Sequence, residues 1–267
     1  MVKIISVKVS KGGVGKTTIV SNLAYILARD KKVLIIDLDS QSNLKNSFKE
    51  HILSDKFTSS NLLGDGFFDK KKSISNINNN LDIIISDIGL AEVSKYLELN
   101  YKDYYFRLKK VIMTTDMKNY DYIIIDLSPG VADTLTDIAL STSDLVICPM
   151  HFDIDSISGI IHTIKDISRL SNAKIIDKEL EYLIVPNRYD KRFEKDNKLI
   201  IDMVYENLEK EFIAEPIREN SHIKKARMEG LCAIEYENKP EKKYEHKKAI
   251  EDFEILSKKI KSILEKQ

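Results

Sequence analysis

Ser10-Lys11-Gly12-Gly13-Val14-Gly15-Lys16-Thr17-Thr18 decides how this chain is read. An apolar run, Ile4 to Val9, precedes it and predicts a buried strand. After it, Ile19, Val20, Leu23, Ala24, Ile26 and Leu27 fall on one side at period 3.6, which predicts a helix. Strand, glycine-rich turn and helix together are the context of a P-loop. Its glycines let backbone N–H groups turn toward phosphate oxygens, and the helix N-terminus adds its positive dipole end. Lys16 can then reach the β- and γ-phosphates, and Thr17 can place its hydroxyl on Mg²⁺.

Composition bounds the rest. The chain has 267 residues, 43% of them hydrophobic, enough for one large α/β unit with a substantial core. Lys+Arg and Asp+Glu both number 42, so the formal net charge is zero and any nucleic-acid binding must come from a local basic patch. Cys148 and Cys232 are the only cysteines and have no metal spacing, which suits a reduced, cytoplasmic compartment. No apolar run approaches the roughly 18 residues of a membrane-spanning helix, and the N-terminus runs into the P-loop without a signal-peptide layout. The five histidines make no metal pattern, and there is no G-x-S-x-G elbow.

Further strands are predicted at Val33–Ile36, Leu81–Ser86, Tyr122–Ile125, Asp144–Cys148 (ended by Pro149), Glu181–Val185 and, briefly, near Phe212–Ile213, with helical patterns between them. This is the layout of a doubly wound α/β fold, with a mostly parallel sheet and helices on both faces. In such sheets chemistry collects at the carboxyl ends of the strands. Asp37 and Asp39 stand at one such end, and Asp126, ending an apolar strand, has the Walker B layout of an acid that holds Mg²⁺ through its water shell. Residues 45–80 are weakly patterned and read as a variable peripheral segment. The tyrosines Tyr96, Tyr101, Tyr104 and Tyr105 read as amphipathic packing rather than a base-stacking platform. Cys148 reads as a small core hydrophobe.

The P-loop departs from G-x-x-x-x-G-K-[ST]: Ser10 takes the first glycine position and Lys11 stands beside it. The variant K-G-G-x-G-K-T resembles the deviant Walker A motif of the ParA/MinD superfamily, and the chain is identified as a member of the ParA family, in a short form without an N-terminal helix-turn-helix domain. The likeness covers nearly the whole of 1–267, read as one ATPase domain, and is loosest at 45–80. Asp37, Asp39, Gln41 and Asn43 match the family's D-x-D-P-Q-x-N, with Ser40 in place of Pro. Asp126-Leu127-Ser128-Pro129-Gly130 resembles its D-x-P-P-x switch, with Ser128 in place of a Pro. Asn220 and Ala226 match its I-x-x-N-x-x-L-x-x-A segment, where Arg218 stands at a frequent Pro.

The resemblance implies an ATP- and Mg²⁺-dependent hydrolase, weak on its own. Gly12, Gly13, Val14, Gly15, Lys16, Thr17 and Thr18 would cradle the phosphates, and Lys11 would cross a dimer interface to the partner subunit's nucleotide. Asp39 would position the attacking water. Thr17, Asp37 and Asp126 would serve the metal, although Asp37 also reads as a helix N-cap. Asn187 would read the adenine edge, and the loop holding Arg218 and Asn220 would cover the base. Arg188 reads equally as a base-stacking residue or a surface residue. A final amphipathic helix over about 242–265 carries a basic cluster. With Lys224, Lys225 and Arg227, its Lys242, Lys243, Lys247 and Lys248 read either as a solvated face or as a surface for DNA phosphates. The family reading favours a homodimer that binds double-stranded DNA without sequence preference, on the nucleoid, released by a ParB-like partner. A MinD-like membrane-binding regulator and an ATPase positioning a protein cargo are the alternatives. A membrane surface is the less favoured because the last helix lacks a bulky exposed apolar cluster.

Overall fold

Alternate residues of the central strands enter different cores, and that alternation builds the molecule. A computed structural model describes residues 1–53, 56–64, 68–130, 133–176, 180–206, 208, 210–242 and 245–266. Strands β1 (Lys3–Val7), β2 (Val33–Leu38), β3 (Ser75–Asn78), β4 (Leu81–Ile84), β5 (Tyr122–Leu127), β6 (Leu145–Met150), β7 (Glu181–Tyr189) and β8 (Ile217–Arg218) form one eight-stranded sheet in the order β3-β4-β2-β5-β1-β6-β7-β8. Among the described residues only the edge pair β3–β4 is antiparallel.

Helices α1 (Lys16–Leu27), α2 (Ser59–Gly64), α3 (Lys70–Ser73), α4 (Leu90–Asn100), α5 (Arg107–Thr114), α6 (Thr134–Thr142), α7 (Ile154–Asn172), α8 (Glu194–Tyr205), α9 (Ser221–Met228), α10 (Ala233–Glu237) and α11 (Lys248–Leu264) cover the two faces. Ile5, Val7, Ile35, Ile124 and Ile147 pack on one face with Leu23 and Leu27 of α1 and Phe253, Leu256 and Ile260 of α11. Their neighbours Ile4, Ile36, Ile123 and Ile125 point the other way, onto Leu97, Leu108 and Ile138 of α4, α5 and α6. Val146, Cys148 and Ile184 meet Ile160 and Leu170 of α7 and Ile200 of α8. Because both faces are covered, the inner strands are apolar at successive positions rather than alternating with polar ones.

The expected doubly wound class is the observed one. Four details differ from the sequence reading. β6 continues through Pro149, which pairs with Val185. Lys8 N–H bonds the Ile147 carbonyl, so residue 149 also turns toward β1. The last β1–β6 register pair is Val7 with Ile147, so the N–H that proline lacks points where that ladder has ended. Phe212 ends a 3-10 turn rather than a strand, and Ile213 keeps a single bridge to Ile184 while β8 forms the edge. The 45–80 stretch is anchored, not wholly peripheral: Phe48, Leu62 and Leu63 are buried in the cores. The last helix starts at Lys248, not near 242, because Pro240–Lys242 is a 3-10 turn and the buried Glu237 carboxylate accepts the N–H groups of Ala249 and Ile250, fixing the helix start.

Candidate nucleotide-binding site

The loop leaving β1 enters α1 through two glycines that need left-handed backbone. Gly13 has φ 77° and Gly15, the N-cap of α1, has φ 95°. A side chain at Gly15 would stand 2.3 Å from Asn187 Nδ2, so the glycine is required on both counts. Lys16 is buried, and its ammonium donates to the Lys11 carbonyl at 3.4 Å. Burial lowers the Lys16 pKa, Asp126 pulls it back up, and Lys8 adds to the lowering.

Asp37 and Asp126 are register partners at the ends of adjacent strands β2 and β5. Thr17 Oγ1 donates to Asp126 Oδ2 at 2.8 Å, and the Asp39 N–H donates to Asp37 Oδ1 at 3.0 Å. The other oxygens, Asp37 Oδ2 and Asp126 Oδ1, are buried and have no hydrogen-bond partner among the described residues. Burial pushes the Asp126 carboxyl up to about 7. Asp37 is raised as well, by burial first and then by the Asp126 charge. Two desolvated carboxylates with orphaned oxygens beside a threonine hydroxyl form a hard-oxygen donor set, which fits Mg²⁺. Asp39 is also buried, and its Oδ1 accepts the Gln41 N–H at 3.0 Å while Ser86 donates to its carbonyl. Asp37 does not N-cap a helix: β2 runs through it to Leu38.

Lys11 lies at the rim. Its ammonium donates to Asp153 Oδ1 at 2.6 Å and lies 3.9 Å from Asp155. Asp153 is the N-cap of α7, accepting from the Ser156 N–H at 2.8 Å. Burial works to raise its pKa, but the bonds from Lys11 and Ser156 outweigh it and hold the carboxyl below the ordinary value.

A cavity of about 280 Å³ opens beside α1, lined by Gly15, Thr18, Asn187, Arg188, Glu219, Asn220, Ile223, Lys224 and Arg227. Asn187 is buried, with its Nδ2 on the Val14 carbonyl at 2.8 Å, so it ties β7 to the P-loop. Arg188 has φ 61°, a left-handed backbone that a non-glycine residue adopts only under constraint. Arg218 is engaged elsewhere: its guanidinium donates to Asp252 and, at 2.8 Å, to Glu251 of α11. These carboxylates raise its pKa above the ordinary arginine value. The Asn220 side chain is also occupied, accepting the His222 N–H and donating to Glu237 at 3.0 Å. Glu237, Asp153 and Lys8 were not singled out from the sequence. For Asp153 the signal was present as an Asp-x-x-Ser helix start after a strand.

Of the basic candidates, Lys224, Lys225 and Arg227 are exposed on α9, and the first and last of them line the cavity. Lys242 pairs with Glu245 at 2.7 Å. Lys247 and Lys248 flank the start of α11, and Lys243 lies outside the described residues. A second cavity, of about 340 Å³, lies at the amino ends of the strands among Lys32, Lys70, Asp82 and Tyr120, far from these groups along the sheet.

Fold and cradle together define a P-loop nucleotide-binding protein with an additional lysine beside the phosphate loop. Residues 2–180 match the sequence family described as AAA domain. An uncharacterised protein of Methanocaldococcus jannaschii is 33% identical over 214 residues, which is 77% of this chain and 81% of that one. The sporulation initiation inhibitor protein Soj of Bacillus subtilis is 32% identical over 186 residues, 66% of this chain and 70% of Soj. A plasmid partition protein of Borrelia burgdorferi, solved with AMPPNP bound, superposes with a TM-score of 0.79 at 27% identity and covers 100% of this chain and 99% of that one. The chain belongs to the ParA family of P-loop proteins.

Proposed function

We propose that this chain is an ATP-dependent partition ATPase whose ATP-bound dimer binds DNA without sequence preference and is released when a ParB-like partner stimulates hydrolysis. The observation that carries this reading is the pairing of an oxygen-donor cradle with a second lysine at its rim, Lys11, whose ammonium pairs with Asp153 and Asp155. That ammonium can change partners when a second subunit and its nucleotide arrive.

Each residue then has a task. Backbone N–H groups from Gly12 to Thr18 and the Lys16 ammonium hold the phosphates. Thr17, Asp37 and Asp126 hold Mg²⁺, which neutralises charge on the phosphate oxygens when bound. Asp39 orients the attacking water, and Lys11 from the partner subunit adds charge stabilisation beside Lys16. Asn187 and Arg188 face the base in the cavity beside α1, whose lining includes Asn220, and the loop that also holds Arg218 covers the base. Lys224, Lys225, Arg227, Lys243, Lys247 and Lys248 supply the phosphate-binding surface for DNA, together with Lys242 where its pairing with Glu245 allows.

Relatives named for sporulation control and plasmid partition support this reading. A membrane-bound mode is disfavoured by α11, whose Ile250, Phe253, Leu256, Ile260 and Leu264 are all buried against the sheet. Among the described residues no helix is long and apolar enough to cross a membrane. Positioning of a protein cargo is the second reading, supported by 28% identity over 163 residues to a carboxysome distribution protein of Gloeothece citriformis. Sedimentation of the wild type and Lys16→Ala with and without ATP tests the core of the proposal. Dimerisation by the wild type alone, and only with ATP, is expected. Dimerisation of Lys16→Ala with ATP would overturn the role given to the P-loop.

A further inference from the structure

Lys8 is a buried lysine that the scheme above leaves without a task. It follows β1 on the face it shares with Ser6, which is turned toward α6, where Ser6 Oγ lies 2.6 Å from Ser143 Oγ. The side chain has no solvent exposure. Among the described residues its ammonium makes one hydrogen bond, to the Ser128 carbonyl at 3.3 Å. Ser128 stands two residues past Asp126, and the next residue packs on the P-loop: Pro129 Cβ is 4.0 Å from where a Cβ on Gly12 would sit. Proline has no N–H, so Gly130, with φ 148°, carries the first backbone donor of this turn after Ser128.

A buried ammonium is unfavourable unless compensated. Burial lowers the Lys8 pKa, and carboxylates from both covering helices act against that: Asp133 at the start of α6, Asp137 within it, and Asp166 of α7, with Asp39 adding a smaller pull. Asp137 and Asp166 are themselves buried, and Asp166 Oδ2 has no hydrogen-bond partner among the described residues. An apolar residue of similar length would fill this space at less cost in desolvation. The ammonium sits instead against Ser128, just past the Walker B strand, near enough to act on Lys16.

We propose that Lys8 is a positioning residue for the phosphate site: it fixes the Ser128 carbonyl, and through it holds the Pro129–Gly130 turn against Gly12 so that the Gly130 N–H is presented to the terminal phosphate. This rests on the ATPase reading above, and the first measurement separates the two. A wild-type chain that neither binds MgADP nor turns over ATP removes the parent reading, and this proposal with it, before any substitution is made.

With an active wild type, the test compares Lys8→Met and Lys8→Gln by MgADP titration and steady-state ATP turnover. Lys8→Met is expected to keep MgADP affinity within twofold and KM within threefold, while kcat falls at least tenfold. Lys8→Gln, which keeps a donor for the carbonyl, is expected to turn over at least threefold faster than Lys8→Met. A kcat within twofold of wild type in Lys8→Met overturns the proposal. So does a parallel loss of MgADP affinity and kcat, because an ammonium needed only for stability disturbs both. If Lys8→Met does not fold, Lys8→Gln is judged by the same split against the wild type. Failure of both to fold assigns Lys8 to stability and overturns the proposal.

Discussion

Gly15→Ala is the substitution whose consequence the structure defines most sharply. Alanine at φ 95° takes on left-handed strain of about 1–2 kcal/mol. Its Cβ also falls 2.3 Å from Asn187 Nδ2, a contact that cannot persist, so the buried amide must leave the Val14 carbonyl. Losing that bond and leaving buried polar groups unpaired costs about 1–3 kcal/mol more. The sum, about 2–5 kcal/mol, corresponds to a melting-temperature drop of about 4–9 °C for a chain of this size. Thermal melts of the wild type, Gly15→Ala, Asn187→Ala and the double variant separate the two parts. Once Asn187 is truncated the clash disappears and only the backbone strain remains. The lost bond is then counted once rather than twice, so the double variant is expected to be about 1–3 kcal/mol more stable than the sum of the single effects. A Gly15→Ala protein that melts within 2 °C of wild type, or effects that add within about 0.5 kcal/mol, would refute the contact.

Asp126→Asn is expected to raise the stability of the nucleotide-free chain by about 1–3 kcal/mol, since it removes a desolvated charge beside Asp37, while Mg²⁺-dependent turnover is lost; a lower melting temperature contradicts the strained pair. Asp153→Asn keeps the helix cap but loosens Lys11, so ATP-dependent association measured by sedimentation velocity is expected to strengthen, and weaker association counts against a competing contact in cis. The depressed Asp153 carboxyl contributes stability that is present above its ordinary value of 3.8 and lost as pH falls through its lower folded value; its NMR titration is expected to show no step between pH 5 and 8, and a step there sinks the assignment. Glu237→Gln places an amide against four donors, from Asn220, His222, Ala249 and Ile250, and is expected to lower stability by about 2–4 kcal/mol in denaturant melts; an unchanged midpoint denies it the role of tying α9, α10 and α11 together.

Much of this arrangement is written in local pattern. Strand β1, the glycine turn and α1 are contiguous and each carries its own signal, so the P-loop is legible without tertiary information. The same holds for Asp126, because an apolar strand that ends in an acid is a local event. What adjacency in sequence cannot convey is which distant carboxylate meets which cation. Lys11 and Asp153 are separated by most of the β1–β6 half of the fold, and only the crossover of β6 beside β1 brings them together. Arg218 and Asn220 show the same limit from the other side. Their loop position follows from the sequence, but their side chains are taken by α11 and Glu237, partners set by how the C-terminal helices pack. Pro149 misleads because a missing N–H ends a strand only where a neighbour needs it, and β1 has already diverged there. Lys8 escapes notice for a related reason: it lies inside the apolar run Ile4–Val9, and nothing local in the sequence shows that carboxylates of α6 and α7 gather around its ammonium.

The central claim is that nucleotide state controls attachment to DNA through this cradle. Co-sedimentation of the wild-type chain with non-specific double-stranded DNA, with ATP, ADP and no nucleotide at low and moderate salt, tests it most directly. The account predicts binding with ATP and Mg²⁺ that falls steeply with salt, as phosphate contacts require, and little binding in the other two states. Equal binding in all three states, or none with ATP while the protein dimerises, would contradict it.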